Sequence, residues 1–515
     1  MEQSRVKNSI KNTSFGMIGM AVSLLVQFIS RTVFIKLLGD AYNGINGLFS
    51  NILYVLNLAE LGFAYSIAYA LYAPLEQGNK EKICAIMNYL RKVYGVIACV
   101  VAIAGLACIP FLQYLIKDDI ASLPFTLNQL RVYFAIYLGN TVFSYVFSYK
   151  RTLITADQRA YIVSNADNIS NIILFIVQIA LLFVWKNYYL YLALMVSKTL
   201  ITNIALSLIA DKRYPYLREN RALRLGKEDC AKIAKNVSAM FFHKFGGVVI
   251  YGTTTIIISA FVGVVEAGYY SNYLLLVRAV NAFINIAFNS ITASVGNLCV
   301  SESRAYQKQV FYRVSYAANF FAIFSFVCYA TLFNDFIALW VGADKTLSFA
   351  TALIISASAA LTTLRSATNT FKDAKGLFVK DWGKCIVEAF GGVAMAIAFS
   401  YLWGTFGVVL GYTLASLIVA LPVENIVLFK FGFEEKAKAL CNQFLRLLWA
   451  AVQAIAIALA LFFAVKLLPV GGVGWFIVKA GVCVLATCLA YFLLSFRGEP
   501  FAYYKNMLFR LIKRR

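Results

Sequence analysis

Eleven charged side chains fall inside stretches of this sequence that are otherwise apolar enough to sit in lipid. Arg31, Arg131, Lys198, Lys244, Arg278, Arg365 and Lys479 are cationic; Glu60, Asp167, Glu388 and Glu424 are acidic. A charge at mid-bilayer costs from roughly 2.5 kcal/mol to more than 10, so these residues rarely face hydrocarbon. They line a polar interior, pair with one another, or reach the surface along their own aliphatic stems. The cations outnumber the acids, and the excess suits an anionic ligand better than a cationic one. Arginine forks match phosphate oxygens in pairs, and lysine adds a compact positive charge. The single histidine, His243, adjoins Lys244; its ring titrates near neutral pH, so it is a candidate for proton coupling as well as a packing residue. Glu60, in "LAELGF", either pairs with Arg31 or Arg278 or takes up a proton or Na⁺. Asp167, in the polar run "SNADNISN", carries the same two readings.

The elements that hold these residues are legible from composition. The chain has 515 residues, 61% hydrophobic and 14% charged, where soluble proteins have roughly a quarter charged. Apolar runs of about twenty residues, each long enough to cross a hydrocarbon core, recur from end to end. The pattern predicts an all-α integral membrane protein with fourteen transmembrane helices at 13–37, 48–72, 93–116, 125–147, 161–185, 188–209, 236–261, 266–299, 310–333, 348–371, 382–404, 407–429, 442–466 and 472–496. The first run is too long for a signal-peptide core and ends in Arg31 and Lys36 without a small-residue cleavage site, so it reads as a mature helix.

A net charge of +23 invites a nucleic-acid reading, and the location of the cations decides against it. Most of them fall in alternate loops, above all in "DKRYPYLRENRALRLGKEDCAKIAKN" (211–236) and the tail "FRLIKRR". This bias places both termini in the cytosol. Ten cysteines show no C-x-x-C pair and none lies in a predicted outer loop, so they read as small apolar fillers. No metal-ligand spacing stands out. Most aromatic residues read as interfacial belts, "YYLYL" at 188–192 as an outer anchor. The G-x-x-x-G at Gly407 and Gly411 suits close helix contact.

Shifting the sequence over itself by 224 residues pairs Lys11, Asn12 and Ser14 of "KNTS" with Lys235, Asn236 and Ser238 of "KNVS". Gly39 then meets Gly263, Gly44 meets Gly268, Asn57 meets Asn281, and Ser66-Ile67 meet Ser290-Ile291. Both copies open a six-helix half, as internal repeats of transporters do. The glycines of "LLGDAYNG" and "FVGVVEAG" read as tight reversals between adjacent helices. The predicted organisation is a six-helix lobe at 1–210, a basic cytosolic linker at 211–235, a second six-helix lobe at 236–430, and two extra helices with a basic tail at 431–515.

The opening stretch, "KNTS", Arg31, "LLGDAYNG" and then "LNLAELGFAYSIAYAL", resembles the start of Wzx-type polysaccharide-unit flippases of the multidrug/oligosaccharidyl-lipid/polysaccharide exporter superfamily. The resemblance implies two pseudo-symmetric six-helix lobes around a central cavity in a bacterial inner-membrane, multi-pass protein. It also implies alternating-access transfer of undecaprenyl-diphosphate-linked oligosaccharides to the outer leaflet for capsule, exopolysaccharide or O-antigen assembly. In that fold the first, second, seventh and eighth helices line the cavity. Arg31, Lys244 and Arg278 are then the leading diphosphate contacts, with Arg365 and Lys198 as further candidates that pairing with neighbouring acids would remove. Coupling would use H⁺ or Na⁺ through Glu60, Asp167 or His243, without an organic cofactor; polymerase machinery and membrane lipids are the expected partners.

Rival readings are weaker. A polymerase or ligase needs catalytic groups in a substantial outer loop, and the predicted outer loops are short, with no D-x-D motif. The sequence therefore points to a non-enzyme. No G-x-x-x-x-G-K-[ST] loop supports an ATP-driven pump. Lipid II and teichoic-acid precursors remain alternative cargoes on the same fold.

Overall fold

The computed structural model describes residues 19, 22–60, 63–219, 223–377, 380–466, 472–496 and 498–513. Among these the regular elements are all helical. Helix α1 spans 22–38, followed by α2 (Asp40–Leu56), α3 (Phe63–Glu76), α4 (Lys80–Cys108), α5 (Leu127–Ala156), α6 (Ala160–Trp185) and α7 (Tyr188–Arg213). Next come α8 (Lys227–Phe261), α9 (Val264–Ser301), α10 (Arg304–Trp340) and α11 (Phe349–Leu364), which Ser366–Ala374 extends. Trp382–Ala415 is broken by non-helical backbone at Trp403 and Gly404; we label the stretches before and after the break α12 and α13, the latter continuing through Leu428–Gly432. The chain closes with α14 (Ala437–Lys466), α15 (Val473–Ser495) and α16 (Glu499–Lys513).

Nine described segments are long and apolar enough to cross a membrane on those grounds alone, and one of them, Trp382–Gly432, contains both α12 and α13. The other predicted spans correspond to α1, the α2–α3 pair, α5 and α8. Helix α5 carries Arg131, Asn140 and several tyrosines among its apolar residues; α2 and α3 are short because a 3₁₀ turn at Asn57–Glu60 divides the second predicted span. Local chemistry marks several starts. Asn79 accepts the Lys82 N–H at 2.9 Å, Thr126 and Gln129 form a reciprocal capping box, and Ser303 and Ser348 cap α10 and α11. Each satisfies N–H groups that the first helical turn leaves without an intrahelical acceptor.

The chain divides into two compact units, Met1–Gly268 and Tyr269–Arg515. This division does not coincide with the predicted linker. Lys227–Asn236 is the first part of α8 rather than a loop, and α8 packs against α2 and α3 within the first unit.

In the first unit, the repeat-related glycines separate into two roles. Gly39 and Gly263 sit between helices with φ of 95° and 157°, as tight reversals require. Gly44 and Gly268, read from the sequence as turn residues, lie inside α2 and α9 and pack against each other. A Cβ on Gly44 would stand 1.9 Å from the Val264 carbonyl oxygen, and one on Gly268 would stand 2.9 Å from that of Asp40. Asn43 Nδ2 donates to the Gly268 carbonyl at 3.0 Å across the same crossing. The segment after α4 straps the α8–α9 turn: Lys117 N–H donates to the Ser259 carbonyl at 3.0 Å, and the Asp118 carboxylate accepts the Val264 N–H at 2.5 Å.

Tyr188, at the head of "YYLYL", is buried among Phe34, Tyr42, Tyr133 and Tyr191, with centroid separations of 4.7 to 6.0 Å. It is an internal packing residue, not the outer anchor its position suggested, because α1, α2 and α5 all converge on the start of α7.

In the second unit, Gly404 adopts φ 56° at the α12–α13 break, a conformation glycine enters without Cβ strain. The G-x-x-x-G that follows is a contact surface as predicted: Cβ atoms on Gly407 and Gly411 would lie 2.0 Å from the Phe399 oxygen and 2.4 Å from the Ala396 nitrogen. Phe311, Phe371, Phe429 and Phe433 form a ring cluster between α10, the α11 extension and the end of α13. All ten cysteines are free thiols.

Candidate functional site

The membrane-embedded charges fall into compensated and uncompensated groups. Arg365 lies at the end of α11, where its guanidinium reaches α12 and α13. Its Nε donates to Glu424 at 2.9 Å; Nη1 donates to Glu388 at 2.9 Å and Ser416 at 3.1 Å; Nη2 donates to Glu424 at 2.6 Å and Glu388 at 3.4 Å. All five guanidinium hydrogens therefore have protein acceptors. Lys384 adds a 2.5 Å bond to Glu424 and a 3.6 Å contact with Asp381, which also pairs with Lys372. The result is three cations against three carboxylates. Glu424 is wholly buried and Lys372 is 1% exposed, so full pairing is the condition for holding these charges away from water.

Arg365 thus takes the pairing alternative that its sequence left open, and has no donor to spare for a phosphate. Lys372, Asp381 and Lys384 were missed because they lie at the edges of predicted spans, where a charge ordinarily reads as a loop residue. The helical extension Ser366–Ala374 and the start of α12 at Trp382 carry them inward.

A second polar network occupies the first unit. Arg151 of α5 pairs with Asp167 of α6 and donates from Nη1 to Asn203 of α7 at 2.9 Å. Lys198, also on α7, lies within electrostatic reach of Asp167 and of the like charge of Arg151. The "SNADNISN" run is partly buried, as its polarity implied, and Asn168 accepts from Ser23 at 3.0 Å. Arg151 escaped the sequence reading because the fourth span was ended before it.

Glu60 closes the 3₁₀ turn between α2 and α3. Its Oε1 accepts the Tyr94 hydroxyl at 3.1 Å, and the Tyr145 hydroxyl, which bonds Asn57 at 2.7 Å, also interacts with it. No cation lies within ion-pair distance of Glu60 among the described residues, so the predicted pairing with Arg31 is not formed. Arg31 is partly buried and lies within electrostatic reach of Tyr137 and Tyr191, the latter packed on Phe34 one turn further along α1.

Arg278, on α9 in the second unit, is exposed and forms no ion pair among the described residues. The side chains of His243 and Lys244 lie outside the described residues, although the backbone there is helical. Lys479 pairs with Asp335 at 2.8 Å. No group of three or more His, Cys, Asp or Glu that could hold a metal ion occurs among the described residues.

The chain has the all-α fold of solved membrane transporters. A lipid II flippase, MurJ, in an inward closed conformation aligns over 94% of this chain and 99% of its own at a TM-score of 0.63 and 15% identity. An inward-facing multidrug-resistance MATE-family transporter of the MOP superfamily aligns over 80% and 96%, also at 0.63 and 15%. A Vibrio cholerae MATE transporter aligns over 84% and 99% at 0.54 and 11%. These neighbours are transporters and a flippase, not enzymes. No protein-family profile matches the chain, and no curated protein does.

Proposed function

We propose that this protein is a flippase that carries an undecaprenyl-diphosphate-linked oligosaccharide across a bacterial inner membrane by alternating access, for surface polysaccharide assembly. The observation that carries the reading is Arg278. Among the described residues it has no carboxylate partner on a membrane helix, while Arg365, Lys479 and the acidic residues around them are neutralised. A guanidinium left unpaired at that depth is stabilised by a ligand that brings its own negative charge. A diphosphate does so; a cationic drug, the cargo type suited to an acidic cavity, does not.

Arg31 and Lys244, both in the first unit, are the further candidate diphosphate contacts; Lys198 is a secondary one because Asp167 already offsets part of its charge. Glu60 is the preferred coupling residue. It is held by tyrosine hydroxyls instead of a cation, so it can take up H⁺ or Na⁺ without breaking an ion pair, whereas Asp167 would have to release Arg151. His243 stays a coupling candidate on its residue type. The cytosolic placement of both termini and contact with polymerase machinery belong to the same reading.

Lipid II is the second reading, favoured by the alignment with MurJ over nearly all of both chains. Both cargoes present a lipid diphosphate and differ in their sugars. The test is to deplete the protein and identify the lipid-linked sugar that accumulates on the inner leaflet, then to complement with Arg278→Ala. Loss of at least about tenfold in surface polysaccharide, with normal insertion, is expected from removing one charge-assisted contact. Full complementation overturns the diphosphate role of Arg278; accumulation of lipid II alone selects the second cargo.

A further inference from the structure

Within the second unit, helices α10, α14, α15, the end of α11 with its extension and the start of α16 line an open-sided cavity of about 750 Å³. Its wall is more polar than a packing defect between membrane helices requires. Gln443 and Gln453 are buried there, and Ser315 Oγ is a buried hydroxyl with no hydrogen-bond partner among the described residues. A buried polar group without a partner is costly, and costlier in hydrocarbon, where water is scarce. The rim, by contrast, is apolar and open: Leu445, Trp449 and Leu494 are each about half exposed. A polar floor behind an apolar mouth suits an amphiphile entering sideways from the bilayer.

The charges around the cavity define its headgroup. Arg446 sits over the Tyr312 ring, its guanidinium carbon 3.9 Å from the centroid, and it forms no ion pair among the described residues. A contact of this kind holds the guanidinium in place without using its N–H donors in an ion pair, which suits phosphate oxygens. The acids nearby are occupied. Glu499 accepts from Arg313 at 2.5 Å and 2.9 Å and from Gln309 at 3.3 Å, and Glu435 pairs with Lys308. An ammonium headgroup therefore finds no free carboxylate, whereas a phosphate finds Arg446.

The depths agree. Counted from the starts of the predicted spans at 310 and 442, Arg446 and Ser315 both lie about 6 to 8 Å below the hydrocarbon boundary at 1.5 Å per helical residue. That is the level at which a phosphate drawn slightly inward and the glycerol esters beneath it would meet them.

We infer that this cavity is a binding site for one anionic glycerophospholipid, its phosphate on Arg446 and an ester carbonyl accepting from Ser315 Oγ. The site belongs to the C-terminal helices and is independent of the cargo. Basic pockets between membrane helices commonly hold anionic lipid headgroups in this way.

The test is lipid retention by the full-length protein. The protein is reconstituted in nanodiscs of phosphatidylglycerol, phosphatidylethanolamine or phosphatidylcholine, extracted into mild detergent and weighed by native mass spectrometry. The wild type retains one phosphatidylglycerol per chain in preference to the other two lipids. Arg446→Ala, at an exposed position that tolerates truncation, weakens retention by about tenfold, and Ser315→Ala weakens it less, consistent with charged and neutral hydrogen bonds. Arg446→Lys keeps the charge but loses the planar fork and falls between. Equal retention by wild type and Arg446→Ala overturns the site, as does equal retention of all three lipids. Selective retention of a polyprenyl phosphate added as competitor assigns the cavity to cargo and overturns the phospholipid assignment.

Discussion

Arg365 and Arg278 are the same residue type in apolar helices of the second unit, yet they are in opposite electrostatic conditions. Arg365 spends every donor on Glu388, Glu424 and Ser416, so its deletion leaves the buried Glu388 without a cation, while Glu424 keeps Lys384. Arg365→Met is expected to destabilise the protein by about 3–5 kcal/mol, the usual cost of breaking a buried ion pair on one side. Arg365→Met combined with Glu388→Gln restores charge balance, leaving Lys384 with Glu424 and Lys372 with Asp381, and should recover much of the loss. Thermal unfolding in detergent by intrinsic fluorescence measures both variants. A single variant as stable as wild type would mean that the six-residue network holds nothing together. Which arginine is paired was not legible beforehand, because pairing depends on helices distant in sequence converging at one depth. Residue type and spacing identified the charges; their partners required the fold.

At the scale of elements, periodic apolarity located the long helices among the described residues, including the α12–α13 hairpin and its glycine contacts. It did not reveal that the second span breaks at Asn57–Glu60, which is set by side-chain partners such as Tyr145 on another helix. Nor did it distinguish Gly39 from Gly44. Both are glycines in one short motif, but the first supplies a positive φ and the second supplies absent volume. Gly44→Ala is expected to cost about 1–3 kcal/mol by overpacking, because the new methyl would collide with the Val264 carbonyl. Gly95→Ala, inside α4 with nothing within 4 Å of the added atom, should be neutral or stabilising by up to about 1 kcal/mol. Comparing their midpoints on the same thermal assay tests the crossing. If the two variants behave alike, α2 and α9 do not pack through these glycines.

At the scale of the whole molecule, the distribution of lysine and arginine makes a prediction that no single helix makes. A cysteine placed at Lys227 in a cysteine-free background should react with a membrane-impermeant maleimide only after the membrane is opened. One placed at Asp344, on the exposed turn between α10 and α11, should react in intact cells. The reverse pattern would invert every helix and, with it, the proposed direction of transport. The boundary between compact units was not legible, because a run of basic residues does not mark where helices pack. Helix α8 begins within that basic stretch and associates with α2 and α3.

The balanced cluster around Arg365 also has an electrical consequence. A transmembrane voltage does work on net charge displaced along the field, about 2.3 kcal/mol for each elementary charge per 100 mV. Three positive and three negative groups that stay locked together sum to zero. Their rigid displacement does no net electrical work, so any current or voltage sensitivity of turnover must originate elsewhere. Glu60 and Arg278, which form no ion pair among the described residues, are the candidates under the proposed function.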